Sequence, residues 1–320
     1  MNAHIIYNAH RNDPLRPSPE DISNALADAG YQPICHLTNS PLDLEKLFKN
    51  FDGIDGVVVA AGGDGTIRET AIRLMDRHIP LVPLPMGTAN NICNTLGVTG
   101  DTKTILSHLG DPVRVGYDIG QVQAPWGDDY FVETAGYGLY AEILAAYDPE
   151  KGKSVLRALT SISTSFTRHS EREREIRIDG QDASGRYMLV EVHNTPAFGP
   201  RIQLAKEADP TDGLLDVVLV QEEAYENFSR YLAGFLRNET EEMPVFQVQR
   251  ARQVEITWDG FPTHVDAHVR PEWLSQPDGR SDYRPPAGRR LPQQGKILIQ
   301  VKRAAVEFWL PSFVRKGEGS

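Results

Sequence analysis

Apolar and polar positions follow one pattern before residue 118 and another after it. In the first part, short β-rich runs alternate with stretches of helical periodicity, which is typical of a mostly parallel sheet flanked by helices. The run at 56–61 is continuously apolar, as expected of a strand buried on both faces. The predicted strands cover residues 4–8, 33–37, 56–61 and 80–84.

Helix signals lie between these strands. Ser18 and Pro19, followed by two acids, predict a hydroxyl cap and the first turn of a helix. Another helix is predicted from Ile67, with Thr66 as either its cap or a phosphate contact. A turn-rich loop at 85–91 precedes one more predicted helix.

After residue 118 the pattern changes to short alternating strands, which predicts an antiparallel β domain. Helical interruptions are predicted at 139–167 and 223–237, and a Pro- and Gly-rich loop at 271–294. We therefore divide the chain into domains at 1–120 and 121–320. The predicted strands of the second domain cover 130–134, 175–178, 187–192, 215–220, 252–258, 297–301 and 305–310.

Composition narrows the class of protein. A chain of 320 residues with 40% hydrophobic and 24% charged residues is typical of a globular protein of two domains. The net charge of -11 disfavours nonspecific binding to nucleic acid, so we expect no nucleic-acid partner. We expect a cytoplasmic protein with two reduced cysteines, because we find neither a transmembrane segment nor a signal peptide.

A glycine-rich loop follows the apolar strand at 56–61. Glycines at 62, 63 and 65 allow a tight turn and close approach of backbone amides to a phosphate. Asp64 would repel that phosphate unless it holds a cation or accepts a proton, although a lone Gly-Asp-Gly is often an ordinary turn. The loop matches neither the GxxxxGK[ST] nor the GxGxxG nucleotide motif.

Together with Glu69 and the loop at 85–90, this Gly-Gly-Asp-Gly-Thr segment resembles the diacylglycerol kinase catalytic-domain family, which includes bacterial lipid kinases and sphingoid-base kinases. Asn8 and the runs at 115–120 and 212–216 also fall in the family's order, so the resemblance covers nearly the whole chain. It implies an α/β nucleotide-binding domain, a β-sandwich lipid-substrate domain and an active site in the cleft between them.

The resemblance also implies site residues. Around the catalytic magnesium it implies Asp64 and Asp118, with Asn91 where the family usually has an aspartate. An amide supplies no negative charge there, so the substitution should weaken the attraction for magnesium. A second, structural magnesium is implied at the Asp212 side chain, with backbone carbonyls contributed by Asp209 and Leu214. The implied contacts to ATP are Asn8, Gly62, Gly63, Gly65, Thr66, Glu69, Gly87 and Thr88.

A general base must take the proton of the acceptor hydroxyl. Asp64 and Asp266 compete for this role, and we favour Asp266, because Asp266-Ala267-His268 corresponds to the family's Asp-Gly-Glu turn. His268 is a candidate for the supporting role of the missing glutamate. The earlier pair Asp259-Gly260 predicts a hairpin turn.

The resulting hypothesis is a kinase that uses ATP and Mg²⁺ to phosphorylate a lipid hydroxyl, with diacylglycerol or a related glycerolipid as first choice. The alternatives are a sphingoid-base kinase, an NAD kinase, which the 212–216 turn disfavours, and a nucleotide-binding regulatory protein without turnover. The lipid would be met at a membrane surface. A peripheral membrane location and a homodimer stay open. Three aromatic residues either line an acyl-chain pocket or pack in the core, namely Tyr137, Phe166 and Phe198.

Overall fold

The computed structural model describes residues 1–9, 16–49, 51, 54–146, 173–221, 224, 227, 230–231, 234, 246–272 and 295–317. Its backbone divides into two compact units, Met1–Ile119 with Arg303–Ser320, and Gly120–Lys302. We predicted the whole C-terminal end to lie in the second domain. It returns to the first unit because Phe308 pairs with Leu81 in a parallel sheet.

The first unit contains the elements β1 (Asn2–Asn8), α1 (Pro19–Asp28), β2 (Gln32–Thr38), α2 (Pro41–Phe48), β3 (Val57–Gly62), α3 (Asp64–Leu74), β4 (Leu81–Pro85), α4 (Asn91–Thr95) and α5 (Thr102–Ser107). Its strands form a parallel sheet with the order β2-β1-β3-β4. Strand β3 is buried along its whole length, which confirms the prediction from its apolar run.

Helices α1, α2 and α5 start with a side-chain hydrogen bond at their N-cap residue, whereas α3 and α4 do not. Ser18 and Asp21 form a reciprocal capping box at the start of α1, as the sequence predicts. Helix α3 begins at Asp64 rather than at residue 67, and its N-cap is Gly63. The alternative that Thr66 caps this helix is therefore wrong, because Thr66 lies inside the first turn.

The second unit is built mainly from antiparallel strands. The elements after α5 are β5 (Val113–Ala124), β6 (Gly127–Phe131), β7 (Thr134–Gly138), α6 (Leu139–Ala146), β8 (Ile176–Ile178), β9 (Gln181–Asp182), β10 (Tyr187–His193), β11 (Ala197–Phe198), β12 (Ile202–Gln203), β13 (Leu215–Gln221), β14 (Gln247–Ala251), β15 (Gln253–Trp258), β16 (Thr263–Val265), β17 (His268–Arg270), β18 (Gly295–Leu310) and a 3₁₀ helix (Ser312–Gly317). One sheet has the order β14-β13-β10-β7-β16-β17, and in the other β15 lies between β8 and β18.

The two faces of the six-stranded sheet have different surroundings. On one face, Val190 and Val217 share a core with Val254 and Ile299 of the other sheet, which is the packing of a β-sandwich. On the opposite face, apolar side chains such as Val218 pack with helix α6. Alternate residues of a strand point to opposite faces, and this alternation places four buried polar residues on the second face. They are Thr134, Glu191, His193 and His264.

Several predicted boundaries in this unit are wrong. The predicted strand at 130–134 spans the end of β6 and the start of β7, and the last two predicted strands form the single strand β18. Asp259-Gly260 is not a hairpin turn, because β15 and β16 belong to different sheets. The hairpin turn is Asp266-Ala267, since Val265 pairs with His268.

The predicted helix at 139–167 is described only over Leu139–Ala146. The one at 223–237 and the loop at 271–294 fall almost wholly outside the described residues. Within the described ranges, no helix combines the length and the apolar character that crossing a bilayer requires.

Candidate functional site

The two glycine loops lie against each other at the carboxyl ends of β3 and β4. The Met86 N–H donates to the Gly62 carbonyl oxygen at 2.8 Å. A Cβ on Gly87 would lie 2.6 Å from the Cα of Gly63, so the two backbones touch. Glycine at positions 63 and 87 is therefore explained by the close approach of one loop to the other.

Gly62 and Gly65 have opposite surroundings. A Cβ on Gly62 would lie 2.3 Å from Oγ1 of Thr66, so this glycine makes room for the threonine. A Cβ on Gly65 would meet no atom within 4 Å, and the residue is exposed. The protein's own packing therefore accounts for Gly62 but not for Gly65, which leaves Gly65 as the glycine whose absent side chain favours ligand approach.

Asn8 lies at the end of β1, beside this loop. Its Nδ2 donates to Oγ1 of Thr66 at 3.2 Å, across 58 residues of sequence. The carboxyl ends of parallel strands meet at one edge of a sheet, which is where α/β proteins bind nucleotides. The structure thus brings Asn8 and Thr66 together with the two glycine loops.

Asp64 connects the first loop to the second. Its Oδ1 accepts a hydrogen bond from the Ile92 N–H at 3.0 Å, in the first turn of α4. Burial raises the pKa of Asp64 above its ordinary value, and hydrogen bonds from the Ile92 and Asn91 amides only partly offset this. A nearby cation would therefore stabilise the charged form of this carboxylate.

The second loop is held by an asparagine that the sequence analysis did not single out. Asn90 has a φ of 52°, and its Oδ1 accepts from the Gly87 N–H at 2.8 Å while its Nδ2 donates to the Gly87 carbonyl at 3.0 Å. Asparagine tolerates the left-handed region better than most residues. An asparagine at the end of a glycine-containing turn is the signal that could have identified it.

Three more predicted residues of the first unit are Glu69, Thr88 and Asp118. The Glu69 carboxylate forms ion pairs with Arg68 and Arg73 along α3. Thr88 is exposed in the bend after Gly87. Asp118 is buried on β5, where its Oδ1 accepts a 2.6 Å hydrogen bond from the Ala304 N–H and links β5 to β18.

In the second unit, Asp266 occupies the tight turn between β16 and β17. Its φ is 49°, and its carboxylate accepts hydrogen bonds from the backbone N–H groups of Val132, Glu133 and Thr134 at 2.9–3.2 Å. Its own N–H donates to the Thr134 carbonyl at 2.7 Å. The Asp266 carboxylate is therefore held in one orientation, whereas His268 is exposed on the next strand.

Comparison with known proteins places this arrangement in a family. Residues 2–122 match the family model of the diacylglycerol kinase catalytic domain, and residues 146–281 match that of the YegS C-terminal NAD kinase beta sandwich-like domain. Residues 2–122 belong to the diacylglycerol kinase catalytic-domain family. The family expected from the glycine loops and the α/β plus β-sandwich fold are both confirmed.

Relatives of this lipid kinase family align with most of the chain. Diacylglycerol kinase of Bacillus subtilis is 29% identical over 254 residues, which are 74% of this chain and 79% of that protein. The Pseudomonas fluorescens protein named "Probable lipid kinase YegS-like" is 29% identical over 220 residues, 65% and 72% of the two chains. A crystal structure of a diacylglycerol kinase from Bacillus anthracis shares the fold, with a TM-score of 0.68, 20% identity and 98% of each chain covered.

The family's magnesium chemistry can be tested against the side chains present. The described residues contain no group of three histidine, cysteine or acidic side chains arranged to hold a metal. A magnesium ion carried by nucleotide phosphates needs only one or two protein carboxylates, and the half-buried Asp64 fits that role. Asn91, which is 2% exposed, contributes its backbone N–H near Asp64.

The turn predicted to hold a structural magnesium is closed by protein bonds instead. The Asp212 carboxylate pairs with the Arg250 guanidinium, and its Oδ1 accepts from the Leu214 N–H at 2.8 Å. Asp209 Oδ1 accepts from the Thr211 N–H at 2.9 Å. A guanidinium at Asp212 disfavours a cation at this carboxylate, which is the side chain predicted to hold the metal. The carbonyls of Asp209 and Leu214 stay a prediction.

The aromatic candidates for an acyl-chain pocket are core residues where the structure describes them. Tyr137 packs against Phe261 with ring centroids 4.7 Å apart, and Phe198 packs against Tyr140 at 4.7 Å. Both side chains are buried. The core-packing alternative therefore accounts for Tyr137 and Phe198, and Phe166 lies outside the described residues.

Proposed function

We propose that this enzyme transfers the γ-phosphoryl group of ATP to a hydroxyl of diacylglycerol or a related glycerolipid. The observation that carries the proposal is the contact between the Gly63 and Gly87 backbones, bridged by Asp64, beside the open position at Gly65. Relatives named diacylglycerol kinase and lipid kinase support a glycerolipid acceptor. We propose that the lipid is met at a membrane surface from the cytoplasm.

In this proposal the residues of the first loop bind the ATP phosphates. The N-terminus of α3 presents backbone N–H groups and a partial positive charge at residues 63–65. Mg²⁺ bound with ATP, and drawn to Asp64, would neutralise phosphate charge as the phosphoryl group transfers. Asp266 accepts the proton of the lipid hydroxyl, a role in which its fixed orientation would matter.

Phosphate transfer from labelled ATP tests the proposal directly. The acceptors are diacylglycerol, monoacylglycerol, a sphingoid base, phosphatidylglycerol and NAD, each with Mg²⁺. A labelled glycerolipid is the expected product. A labelled sphingoid base or labelled NAD would instead select one of the alternative kinases, and ATP binding without any labelled product would favour the regulatory protein.

Two glycine substitutions should have opposite effects on stability. Gly65→Ala adds a methyl group where no atom lies within 4 Å, and alanine favours the helix, so the free energy of unfolding should rise by up to ~1 kcal/mol. Because that methyl faces the proposed phosphate position, KM for ATP should rise at least about tenfold. Thermal melts and steady-state kinetics measure the two effects.

Gly87→Ala is the matched comparison. Its methyl would lie 2.6 Å from Gly63 Cα and 2.9 Å from Asn90 Oδ1, so overpacking should destabilise the unit by ~1–3 kcal/mol. The contact between the loops would open, and ATP affinity should fall as well. Unchanged ATP affinity in Gly65→Ala would argue against phosphate binding at this loop.

The buried amide at position 91 supports the second candidate, a nucleotide-binding regulatory protein without turnover. Asn91→Asp adds a carboxylate at a buried residue whose backbone N–H lies near Asp64. If the chain is an enzyme weakened by this amide, kcat should rise several-fold and less Mg²⁺ should be needed for half-maximal rate. If it is a regulatory protein, only Mg²⁺-dependent ATP binding should tighten. Loss of both would indicate that two close carboxylates repel each other without a metal between them.

A further inference from the structure

A fully buried pair of opposite charge type lies beside the Asp266 turn. Glu191 on β10 and His264 on β16 are both 0% exposed, and His264 Nε2 lies 2.7 Å from Glu191 Oε2. Strand β7 runs between them, and both residues pair with Gly136. A Cβ on Gly136 would lie 2.5 Å from Glu191 Oε2, so this glycine opens the space in which the two side chains meet.

The neighbouring atoms fix where the protons lie. His264 Nδ1 is 2.7 Å from the Asp266 carbonyl oxygen, which only accepts hydrogen bonds, so Nδ1 must carry a proton. Nε2 faces the Glu191 carboxylate, and the Thr134 hydroxyl donates to the same oxygen at 3.0 Å. Burial lowers the pKa of His264, but the charge and hydrogen bond of Glu191 outweigh it, and the pKa is raised. A ring that donates from both nitrogens agrees with these contacts.

A contribution to stability does not explain why this pair is buried. Burying two ionisable groups removes both from water, and a buried ion pair seldom adds net stability over apolar residues of the same size. Glu191 lies between two valines in a fully buried strand, where charged residues are rare. A hydrogen bond that orients a neighbouring group accounts for the pair better, because apolar side chains cannot make one.

The bonds around Asp266 indicate what the Glu191–His264 pair does. A non-glycine residue at φ 49° is held in a sparsely populated region and needs surrounding bonds to keep it there. The Asp266 N–H bonds Thr134, its carboxylate takes three backbone N–H groups, and its carbonyl takes the His264 ring. His264 therefore holds the backbone of Asp266 at its carbonyl oxygen, while the 132–134 amides hold its carboxylate.

We propose that His264, anchored by Glu191, is a positioning residue that fixes the Asp266 carboxylate for proton transfer from the lipid hydroxyl. The proposal rests on the proposed function, in which Asp266 is the base. Misplacing a reacting group by about 1 Å can reduce a rate by ~100-fold, so a residue that never touches the substrate can still have a large effect on kcat.

Two amide substitutions separate the two bonds of the ring. In His264→Asn the amide nitrogen takes the place of Nδ1 and can still donate to the Asp266 carbonyl. In His264→Gln it takes the place of Nε2, reaches Glu191 and leaves that carbonyl without its donor. We expect kcat to fall by ~10- to 100-fold in His264→Gln and only a few-fold in His264→Asn, with KM for ATP unchanged in both.

His193→Asn is the matched control, because His193 is equally buried on the same face and its Nδ1 contacts the Thr195 carbonyl instead. This variant should lose stability but keep kcat. Equal losses of kcat in the Asn and Gln variants of His264 would overturn the proposal, since a general packing defect would explain both.

Hydrogen exchange gives a second readout that does not need activity. The N–H groups of Val132, Glu133 and Thr134 bond the Asp266 carboxylate, so they should exchange at least tenfold faster in His264→Gln and at the native rate in His193→Asn. Native exchange in His264→Gln would also overturn the proposal.

If the native protein phosphorylates no lipid, yet exchange follows the expected order, the proposed function fails and the control of Asp266 by His264 stands. Should His264→Gln not fold, Glu191→Gln, which retains the size of the anchor, should show the same faster exchange to a smaller degree.

Discussion

Asp64→Asn is expected to reduce kcat for phosphoryl transfer by ~10²- to 10³-fold while the protein stays folded. The asparagine retains an oxygen that can accept the 3.0 Å hydrogen bond from the Ile92 N–H, so the contact between the loops should persist. What it loses is the negative charge that would attract Mg²⁺ to the ATP phosphates. Steady-state transfer from labelled ATP and a thermal melt measure the two properties separately.

Asp101→Asn provides the matched control. Asp101 accepts a 2.9 Å hydrogen bond from the Thr104 N–H at the start of α5, a contact of the same kind in the same unit. This variant should keep both kcat and KM for ATP. If Asp64→Asn behaved in the same way, Asp64 would be a helix cap and nothing more, and the metal assignment would have to be given up.

The sequence predicted the first glycine loop because its signals are local. A continuous apolar run leads directly into Gly62, and both the strand and the loop lie where the pattern places them. The reason for Gly63 could not be predicted in this way. It depends on a backbone contact with Gly87, which is distant in sequence and forms only when the parallel strands β3 and β4 pair.

The error at Asp259-Gly260 has a similar origin. An Asp-Gly pair favours a tight turn wherever it occurs, and local preference does not distinguish a hairpin from a connection between two sheets. Tertiary contacts decide here, since Asp259 pairs with Arg174 at 2.7 Å and the Trp258 indole donates to the Phe261 carbonyl at 2.8 Å. These contacts direct the chain from β15 into the other sheet.

Glu191 shows the opposite case, a local signal that was present and not used. A charged residue within the apolar run at 187–192 is unusual for a strand with two buried faces. The pattern marks Glu191 as exceptional but cannot name its partner, because His264 lies 73 residues away and reaches it only across Gly136. The sequence pattern thus marks the position of an unusual charged residue, and only the strand pairing identifies its partner.

Asp266→Asn should lower kcat by ~10²- to 10⁴-fold, the range expected when a general base is removed. Stability should fall by ~1–3 kcal/mol as well, because the carboxylate accepts three backbone N–H groups and an amide offers only one oxygen to them. The NH₂ group would face an N–H donor in a buried site. Kinetics with the lipid acceptor and urea unfolding measure the two losses.

Asp179→Asn is the control that distinguishes the role of Asp266 as a base from its role as a turn residue. Asp179 also has a left-handed φ, 47°, and its carboxylate accepts backbone N–H groups of Arg252 and Gln253 at 2.9–3.3 Å. Asp179 is exposed and its Oδ1 alone can accept from both N–H groups, so Asp179→Asn should lose less stability than Asp266→Asn and should keep kcat. Asp266→Asn should lose kcat beyond the fraction of protein that is unfolded. If kcat followed stability in the same way in both, Asp266 would be a structural turn residue and the proton acceptor would lie elsewhere.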